Sequence, residues 1–207
     1  MSAQLFKSDI LFLQRLLSVG GFYAGPRDGK WSAAVDAAED AFIARTEAIR
    51  AEHGRVDPRS EAAIATLTPE AQVAARRFMA AAREMPLTCR ILSGTRTYAE
   101  QDTLYAIGRT RERNRKPVTR ARGGQSNHNF GVAWDVGLFE GGTYYAGATR
   151  AQMDAYRALA ARAKAAVPDL AWGGDWKSFP DAPHYELKTG KTVAQLRALL
   201  EAGKPYR

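Results

Sequence analysis

One stretch of ten residues decides the fold and the site, Ser126-Asn127-His128-Asn129-Phe130-Gly131-Val132-Ala133-Trp134-Asp135. About fifty residues later comes a second cluster, Asp181-Ala182-Pro183-His184. Together, His128, Asp135 and His184 offer two imidazoles and one carboxylate, the ligand set of zinc sites that keep a fourth position open for water. Only three histidines occur in the chain. Because two of them fall in these motifs, the pattern favours a site for one zinc ion over chance, with Asp181 as the candidate general base.

The composition indicates a protein with a substantial core and no membrane span. The chain has 207 residues, of which 45% are hydrophobic, enough for one large domain or for one small and one medium domain. No apolar run approaches the roughly 18 residues that a membrane span requires. The first nine residues lack the features of a secretory signal, so we expect synthesis in a cytoplasm without a signal peptide. Cys89, the single cysteine, lies in an apolar-flanked run and is interpreted as a buried, inert thiol.

The net charge of +8 indicates attraction to an anionic partner. Its densest basic run is Arg109-Thr110-Arg111-Glu112-Arg113-Asn114-Arg115-Lys116. No aromatic residue is interleaved with this run and no nucleic-acid module surrounds it, so a nucleic-acid partner is not expected. The run is interpreted first as a solvated loop and second as a contact for a polyanion.

The pattern of apolar residues divides the chain near residue 67. Residues 1–67 predict a small helical bundle: a helix capped by Ser8 or Asp9 ends at Gly20-Gly21, and Ser32 caps a second helix. A polar stretch from Arg45 to Glu61 then interrupts the apolar pattern. We therefore predict a helical domain, residues 1–67, and a second domain, residues 68–207.

The second domain predicts an α+β fold, with a small antiparallel sheet flanked by helices and carrying the zinc site. The predicted strands are residues 87–93, 132–138 and 184–188. One predicted helix spans residues 149–167, and the others begin after Thr68, Thr97 and Thr192. Strand alternation places Trp134 in the packing face and Asp135 on the opposite face. Ala133 and Gly137, being small, are expected to leave room for a metal beside Asp135.

Three motifs resemble those of a known enzyme family. They are Ser93-Gly94-Thr95-Arg96-Thr97-Tyr98-x-x-Gln101, Gly123-Gly124-Gln125-Ser126-x-His128-x-x-Gly131-x-Ala133-x-Asp135, and Trp172-Gly173-Gly174-Asp175-Trp176 followed by Asp181-x-Pro183-His184. Over about residues 68 to 190 the chain resembles the D-alanyl-D-alanine carboxypeptidase-like zinc peptidases that act on peptidoglycan stems. Within that family it is most similar to the L-alanyl-D-glutamate endopeptidases of phage endolysins and bacterial autolysins.

The first domain carries a separate resemblance, to the three-helix peptidoglycan-binding module that often accompanies cell-wall hydrolases. Its matching residues are Leu13-Gln14-x-x-Leu17, Gly21-Phe22-Tyr23 and Asp28-Gly29-Lys30-Trp31. The alternative is a helical cap that packs on the second domain.

The family resemblance implies a role for each candidate residue. His128, Asp135 and His184 bind zinc, Asp181 is the catalytic base, and Arg96 steadies the substrate carbonyl or oxyanion. Arg96 in a surface salt bridge is the structural alternative. Ser126 and Gln101 are candidate substrate contacts, although Ser126 also suits a plain turn. Trp172, Asp175 and Trp176 are candidates for the wall of the stem-peptide groove, with packing over the sheet as the commoner use of such tryptophans.

Three functions follow as expectations. The first is an endopeptidase, in the setting of a phage endolysin, that cuts between L-Ala and D-Glu of peptidoglycan after release into the periplasm or the extracellular space. The second is a D-Ala-D-Ala carboxypeptidase with the same zinc site. The third is a non-catalytic wall-binding protein whose zinc is structural. In each case the partner is peptidoglycan, no integral membrane segment is involved, and we expect a monomer.

Overall fold

The computed structural model describes residues 6–206. Residues 1–5 and Arg207 lie outside the described residues. The expectation of no signal peptide rests partly on residues 1–5. By its internal contacts the chain forms two compact units. Unit 1 comprises residues 1–45, 96–131 and 190–207, and unit 2 comprises residues 46–95 and 132–189. The division into domains of residues 1–67 and 68–207 stays a prediction. Between residues 6 and 206, no helix has both the length and the apolar character needed to cross a membrane.

Unit 1 is built from helices. They are α1 (Lys7–Val19), the first part of α2 (Ala33–His53), α5 (Tyr98–Ala106), a 3-10 turn (Asn127–Phe130) and α7 (Val193–Ala202). Its core includes Leu17, Tyr23, Val35 and Ala38, with Leu13, Phe22 and Phe42 packed against them. Capping boxes formed by Thr97 with Glu100 and by Thr192 with Gln195 are present at the starts of α5 and α7. These caps fix the two helix starts that the sequence predicted.

Two details of the N-terminal helices differ from the sequence-based expectation. Helix α1 begins at Lys7, before the predicted caps, because the carboxylate of Asp9 accepts the backbone N–H of Phe6 at 3.2 Å and caps it from inside the first turn. Helix α2 does not stop at the polar stretch but continues to His53. Thr46 and Ile49 are both buried and continue the inward stripe at helical spacing, which the apolar pattern alone did not show.

Unit 2 contains the sheet. Its elements are α3 (Pro58–Ile64), α4 (Pro69–Ala82), β1 (Thr88–Ser93), β2 (Ala133–Glu140), β3 (Thr143–Tyr144), α6 (Arg150–Ala166), β4 (Leu170–Trp172) and β5 (His184–Leu187). All pairings are antiparallel, in the order β1-β2-β5-β4, and β3 pairs with the end of β2. The predicted α+β class, with a small antiparallel sheet and flanking helices, is confirmed.

Aromatic side chains hold one face of the sheet to its helices. Phe78 of α4 makes edge-to-face contacts with Trp134, at 6.0 Å between ring centroids, and with Tyr185, at 4.7 Å. All three are fully buried, so Trp134 has the packing role that alternation predicted. Cys89 is buried, and burial together with the negative charge of Asp57 raises the pKa of its thiol to about 12. The expected burial of Cys89 is therefore confirmed, and a raised pKa favours the unreactive thiol over the thiolate.

The room predicted beside Asp135 is partly occupied by side chains. A Cβ atom added to Gly137 would lie 2.8 Å from Leu92, 2.9 Å from Phe139 and 3.1 Å from Tyr144. Glycine at this position therefore makes space for apolar packing against neighbouring strands and not for a metal.

A buried ion pair ties α3 to α4 in unit 2. Arg76 is 2% exposed, and its guanidinium donates to both carboxylate oxygens of Glu61, at 3.0 and 2.7 Å, and to the carbonyl of Gly54 at 2.8 Å. Partial burial by itself would raise the pKa of Glu61, but the hydrogen bonds from Arg76 and from the N–H of Val56 outweigh it, and the pKa lies below its ordinary value. The bidentate pair is satisfied as long as Glu61 stays ionised.

We expect Glu61→Gln to destabilise the protein by about 3 kcal/mol at neutral pH, because it leaves the buried Arg76 without a counter-charge. Since the folded-state pKa of Glu61 is lowered, the stability it contributes is present above its unfolded pKa and is lost as the pH falls through the folded pKa. The difference between parent and variant, measured by urea unfolding, should therefore shrink in acid. Asp154→Asn, which breaks an exposed pair with Arg157, should cost less than about 1 kcal/mol. Equal losses in the two variants would contradict the prediction.

Candidate metal centre

The register of β2 and β5 brings two of the predicted ligands together. In this antiparallel pair, Asp135 lies directly opposite His184, and Trp134 lies opposite Tyr185. Residues opposite one another share a face, and neighbours along a strand alternate between faces. The aromatic pair therefore enters the core, while Asp135 and His184 meet on the other face of the sheet.

His128 lies in the 3-10 turn that leads into β2. Gly131, at φ 69°, ends this turn in a left-handed conformation that glycine adopts without strain. The turn is fixed by Asn129, which is fully buried. Its amide donates to the carbonyl of Arg96 at 2.8 Å, and its oxygen accepts the N–H groups of Gly124 at 2.9 Å and Ser126 at 3.3 Å. Asn129 thus joins three pieces of unit 1, a role that the sequence did not reveal.

One ligand atom from each of His128, Asp135 and His184 lies within 4.8 Å of the others. Both imidazoles are buried, and the Asp135 side chain is 21% exposed. Nδ1 of His184 lies 3.2 Å from Oδ1 of Asp135. Two ligand atoms that each lie about 2.0 to 2.1 Å from one ion at a tetrahedral angle are separated by about 3.3 to 3.4 Å. The donor set and this separation fit a divalent metal ion, and an imidazole-carboxylate set suits zinc among others.

A second carboxylate, Glu186, supports His184 from the same strand. Oε2 of Glu186 lies 2.9 Å from Nε2 of His184, so one ring nitrogen faces Asp135 and the other faces Glu186. Burial would lower the pKa of His184, but the two carboxylates raise it to about 9. The same surroundings favour a bound cation and fix the ring orientation, as carboxylates behind metal-bound histidines do. Sequence reasoning missed Glu186, although its place two residues after His184 on a strand puts it on the same face.

The candidate base, Asp181, belongs to the turn that carries His184. The N–H of Asp181 donates to the carbonyl of Gly173 at 3.0 Å, and the N–H of His184 donates to the carbonyl of Asp181 at 3.2 Å. A Cβ atom on Gly173 would lie 2.6 Å from the Asp181 carbonyl and 2.9 Å from Cβ of His184. Glycine is therefore required for this close approach, which places the candidate base and a candidate ligand on one fixed turn.

Arg96 is half-buried in the connection between β1 and α5. Its backbone N–H donates to the carbonyl of His128 at 3.0 Å, and its Nη1 lies 3.5 Å from Oε1 of Gln101. Gln101 is 1% exposed, and its amide donates to the carbonyl of Ala121 at 3.0 Å. These contacts give Gln101 a part in holding Arg96 and the chain before His128. A direct contact between Gln101 and a substrate stays a prediction.

The three residues predicted to line the stem-peptide groove, Trp172, Asp175 and Trp176, lie in different environments. Trp172 is buried, and its Nε1 donates to the carbonyl of Ala182 at 2.8 Å, so it packs under the turn of Asp181. Asp175 is exposed and pairs with Lys164. Trp176 is 38% exposed, and its ring centroid lies 4.9 Å from that of His184. Of the two tryptophans in this loop, Trp176 is therefore the better placed to contact a ligand. Ser126, the other candidate substrate contact, lies in a turn, where its N–H donates to the side-chain oxygen of Asn129.

We expect Glu186→Gln to lower the affinity for a divalent metal by about 10- to 100-fold, because an amide keeps the size of Glu186 but not the charge that supports His184. Affinity is measured by competition with a chelating dye, so the result does not depend on activity. Glu84→Gln, which removes an exposed pair with Arg162, is the control and should bind metal as the parent does. An unchanged affinity in Glu186→Gln would exclude the supporting role.

Comparisons with known proteins find several that are similar to this chain. The profile of the D-alanyl-D-alanine carboxypeptidase family matches residues 119–187, which include all three candidate ligands. The chain is 37% identical over 127 residues to the peptidoglycan L-alanyl-D-glutamate endopeptidase CwlK of Bacillus subtilis (strain 168), with 58% of this chain and 73% of that protein covered. Among solved structures, the L-Ala D-Glu endopeptidase ChiX of Serratia marcescens matches with a TM-score of 0.46 and 25% identity, covering 66% of this chain and 92% of that chain.

Proposed function

Because the chain belongs to the D-alanyl-D-alanine carboxypeptidase family of metallopeptidases, we propose that it hydrolyses the L-Ala-D-Glu bond of peptidoglycan stem peptides with one zinc ion. The observation that carries the proposal is the cluster of His128, Asp135 and His184. The choice of the L-Ala-D-Glu bond is supported by the 37% identity to a protein named as an L-alanyl-D-glutamate endopeptidase. The family match, the ligand set and the candidate base together favour catalysis over a structural metal.

The chemistry needs an activated water, a proton acceptor and a group that stabilises negative charge. When bound, the ion supplies Lewis acidity, which polarises a carbonyl and makes water acidic near neutral pH. Asp181, on the turn of His184, can accept a proton from water and deliver it to the leaving amine of D-Glu. Arg96 offers a fixed cation to the oxyanion, and its position is set by His128 and Gln101. Trp176 presents an exposed ring beside His184 for the stem peptide.

We propose that the enzyme acts outside the cytoplasm. Peptidoglycan lies outside the cytoplasm, so the enzyme acts in the periplasm or the extracellular space. The resemblance of the three motifs to phage endolysins and autolysins supports a lytic role, and we propose a phage endolysin that acts as a monomer. The resemblance of the first 67 residues to a peptidoglycan-binding module supports a part for them in holding the wall.

Digestion of purified muropeptides tests the reaction. We expect mass spectrometry to show fragments with a new N-terminal D-Glu, loss of cleavage with a chelator, and recovery with one equivalent of zinc. The family name gives reason to keep the carboxypeptidase alternative, which predicts free D-alanine as the sole product. No cleavage by the fully metal-loaded protein would instead support the non-catalytic alternative.

Asp181→Asn should reduce the turnover of muropeptides by at least about 100-fold, because the amide cannot accept the proton. The metal content of the purified variant, measured by inductively coupled plasma mass spectrometry, should equal that of the parent. A variant that lyses cell walls as fast as the parent would exclude Asp181 as the base.

Arg96→Met should lower kcat by about 100- to 1,000-fold with a smaller change in KM, because the lost cation stabilises charge that develops only in the transition state. Gln101→Leu, which removes a contact to Arg96 but keeps the guanidinium, should lose less. If Arg96→Met raised KM alone, Arg96 would bind the ground state and not the oxyanion.

A further inference from the structure

The net positive charge of the chain comes from one of its two units. Unit 1 contains 17 Lys and Arg and nine Asp and Glu, a net charge of +8, while unit 2 contains 13 of each and is neutral. Within unit 1, residues 109–122 contain seven basic side chains and one acidic side chain. We call residues 109–122 the basic segment. Three quarters of the net charge of the protein therefore falls on 14 residues that have no assigned function.

Arginine side chains and helix α5 fix the basic segment at its two ends. Arg109 stacks on the ring of Tyr105 at 3.9 Å and donates to the carbonyl of Thr119 at 2.9 Å. Arg122 stacks on the same ring at 4.7 Å. At the far end, the amide of the buried Gln101 donates to the carbonyl of Ala121. These contacts hold the residues between them on a defined frame instead of leaving them to a flexible loop.

The middle of the basic segment presents unneutralised charge to solvent. Arg111, Arg113 and Lys116 are exposed, and none of them forms an ion pair with any residue between 6 and 206. Glu112, the one acid in the segment, is already paired with Arg115 at 2.6 Å. Like charges held close together repel one another, so the arrangement is stabilised when an anion with several charges binds across it.

The structure favours one class of polyanion. Bases of single-stranded nucleic acid need an open aromatic face, but the ring of Tyr105 is covered by Arg109 and Arg122. Anionic lipid attracts basic side chains by charge alone, but a segment adapted to a membrane surface also inserts aromatic or large aliphatic side chains. Among the large hydrophobic side chains that are exposed in the described chain, only Val118 belongs to the basic segment. Neither partner is therefore favoured over a polymer of carboxylates.

We propose that the basic segment binds the carboxylates of peptidoglycan stem peptides and holds the enzyme on the wall by charge. This inference rests on the proposed function, because the stem peptide is then both the substrate and the anion. Each stem carries a free carboxylate on D-Glu and another at its C-terminus, so the intact wall presents them at high density. Binding by several exposed cations is then weakened by salt, which screens each contact.

The test measures binding of full-length Asp181→Asn, which leaves the wall intact, to purified peptidoglycan freed of other wall polymers. Co-sedimentation is followed from low to high NaCl, with the same peptidoglycan after its carboxylates are converted to methylamides as the comparison. We expect affinity to fall as salt rises, to drop when carboxylates are capped, and to drop by about tenfold at low salt in Arg111→Gln/Arg113→Gln/Lys116→Gln. Glu112→Gln, which removes the one acid of the basic segment, should bind more tightly.

A matched control separates the basic segment from net charge. Arg59→Gln/Arg77→Gln/Lys188→Gln removes the same charge from exposed positions of unit 2 and should bind as Asp181→Asn alone does. An equal loss in both triple variants, or no loss in the first, would overturn the proposal. If binding persisted after the carboxylates were capped, or were stronger to vesicles with anionic lipid or to RNA, the stem-peptide carboxylates would be excluded as the partner. Cleavage of soluble muropeptides by the parent protein is scored separately, so failure of the proposed function is recognised independently.

Discussion

The pairing of β2 with β5 is the constraint on which the core and the candidate site both depend. It sets Asp135 opposite His184 and Trp134 opposite Tyr185. A slip of one residue would exchange the two faces, burying the carboxylate and exposing the tryptophan. The contacts of Phe78 with both aromatic rings therefore do more than stabilise unit 2. They penalise any register that takes Trp134 and Tyr185 out of the core, and so favour the one in which the two candidate ligands share the opposite face.

The candidate site is arranged to hold positive charge. Two carboxylates lie 3.2 and 2.9 Å from the nitrogens of His184, and His184 is almost fully buried. Carboxylates held so close to a buried ring are costly unless a cation compensates them. A proton on His184 or a metal ion beside it would supply that charge. The two carboxylates that would support His184 as a metal ligand thus also require a cation beside them.

The three candidate ligands could be named from sequence because they belong to short local patterns, and their binding of a metal stays a prediction. Asp135 alternates with Trp134 along one strand, and His184 follows a proline-containing turn. The supporting residues could not be predicted so easily, because their roles depend on distant partners. Asn129 acts through the carbonyl of Arg96, 33 residues earlier in the chain. Thr46 extends the buried stripe of α2 as a polar residue, bound to Gln72, so an apolar pattern could not mark it.

The basic segment shows how charge can be displayed without a large ordering cost. A flexible basic tail loses conformational entropy when it binds, which offsets part of the electrostatic gain. Here Gln101 and Arg109 already fix the ends of the segment, so its exposed cations stand on a frame that folding has ordered. The chain then continues through Gly124, bound by Asn129, to the turn of His128. One continuous stretch of unit 1 thereby carries both the surface charge and a candidate metal ligand, so the proposed wall contact and the position of His128 depend on the same scaffold.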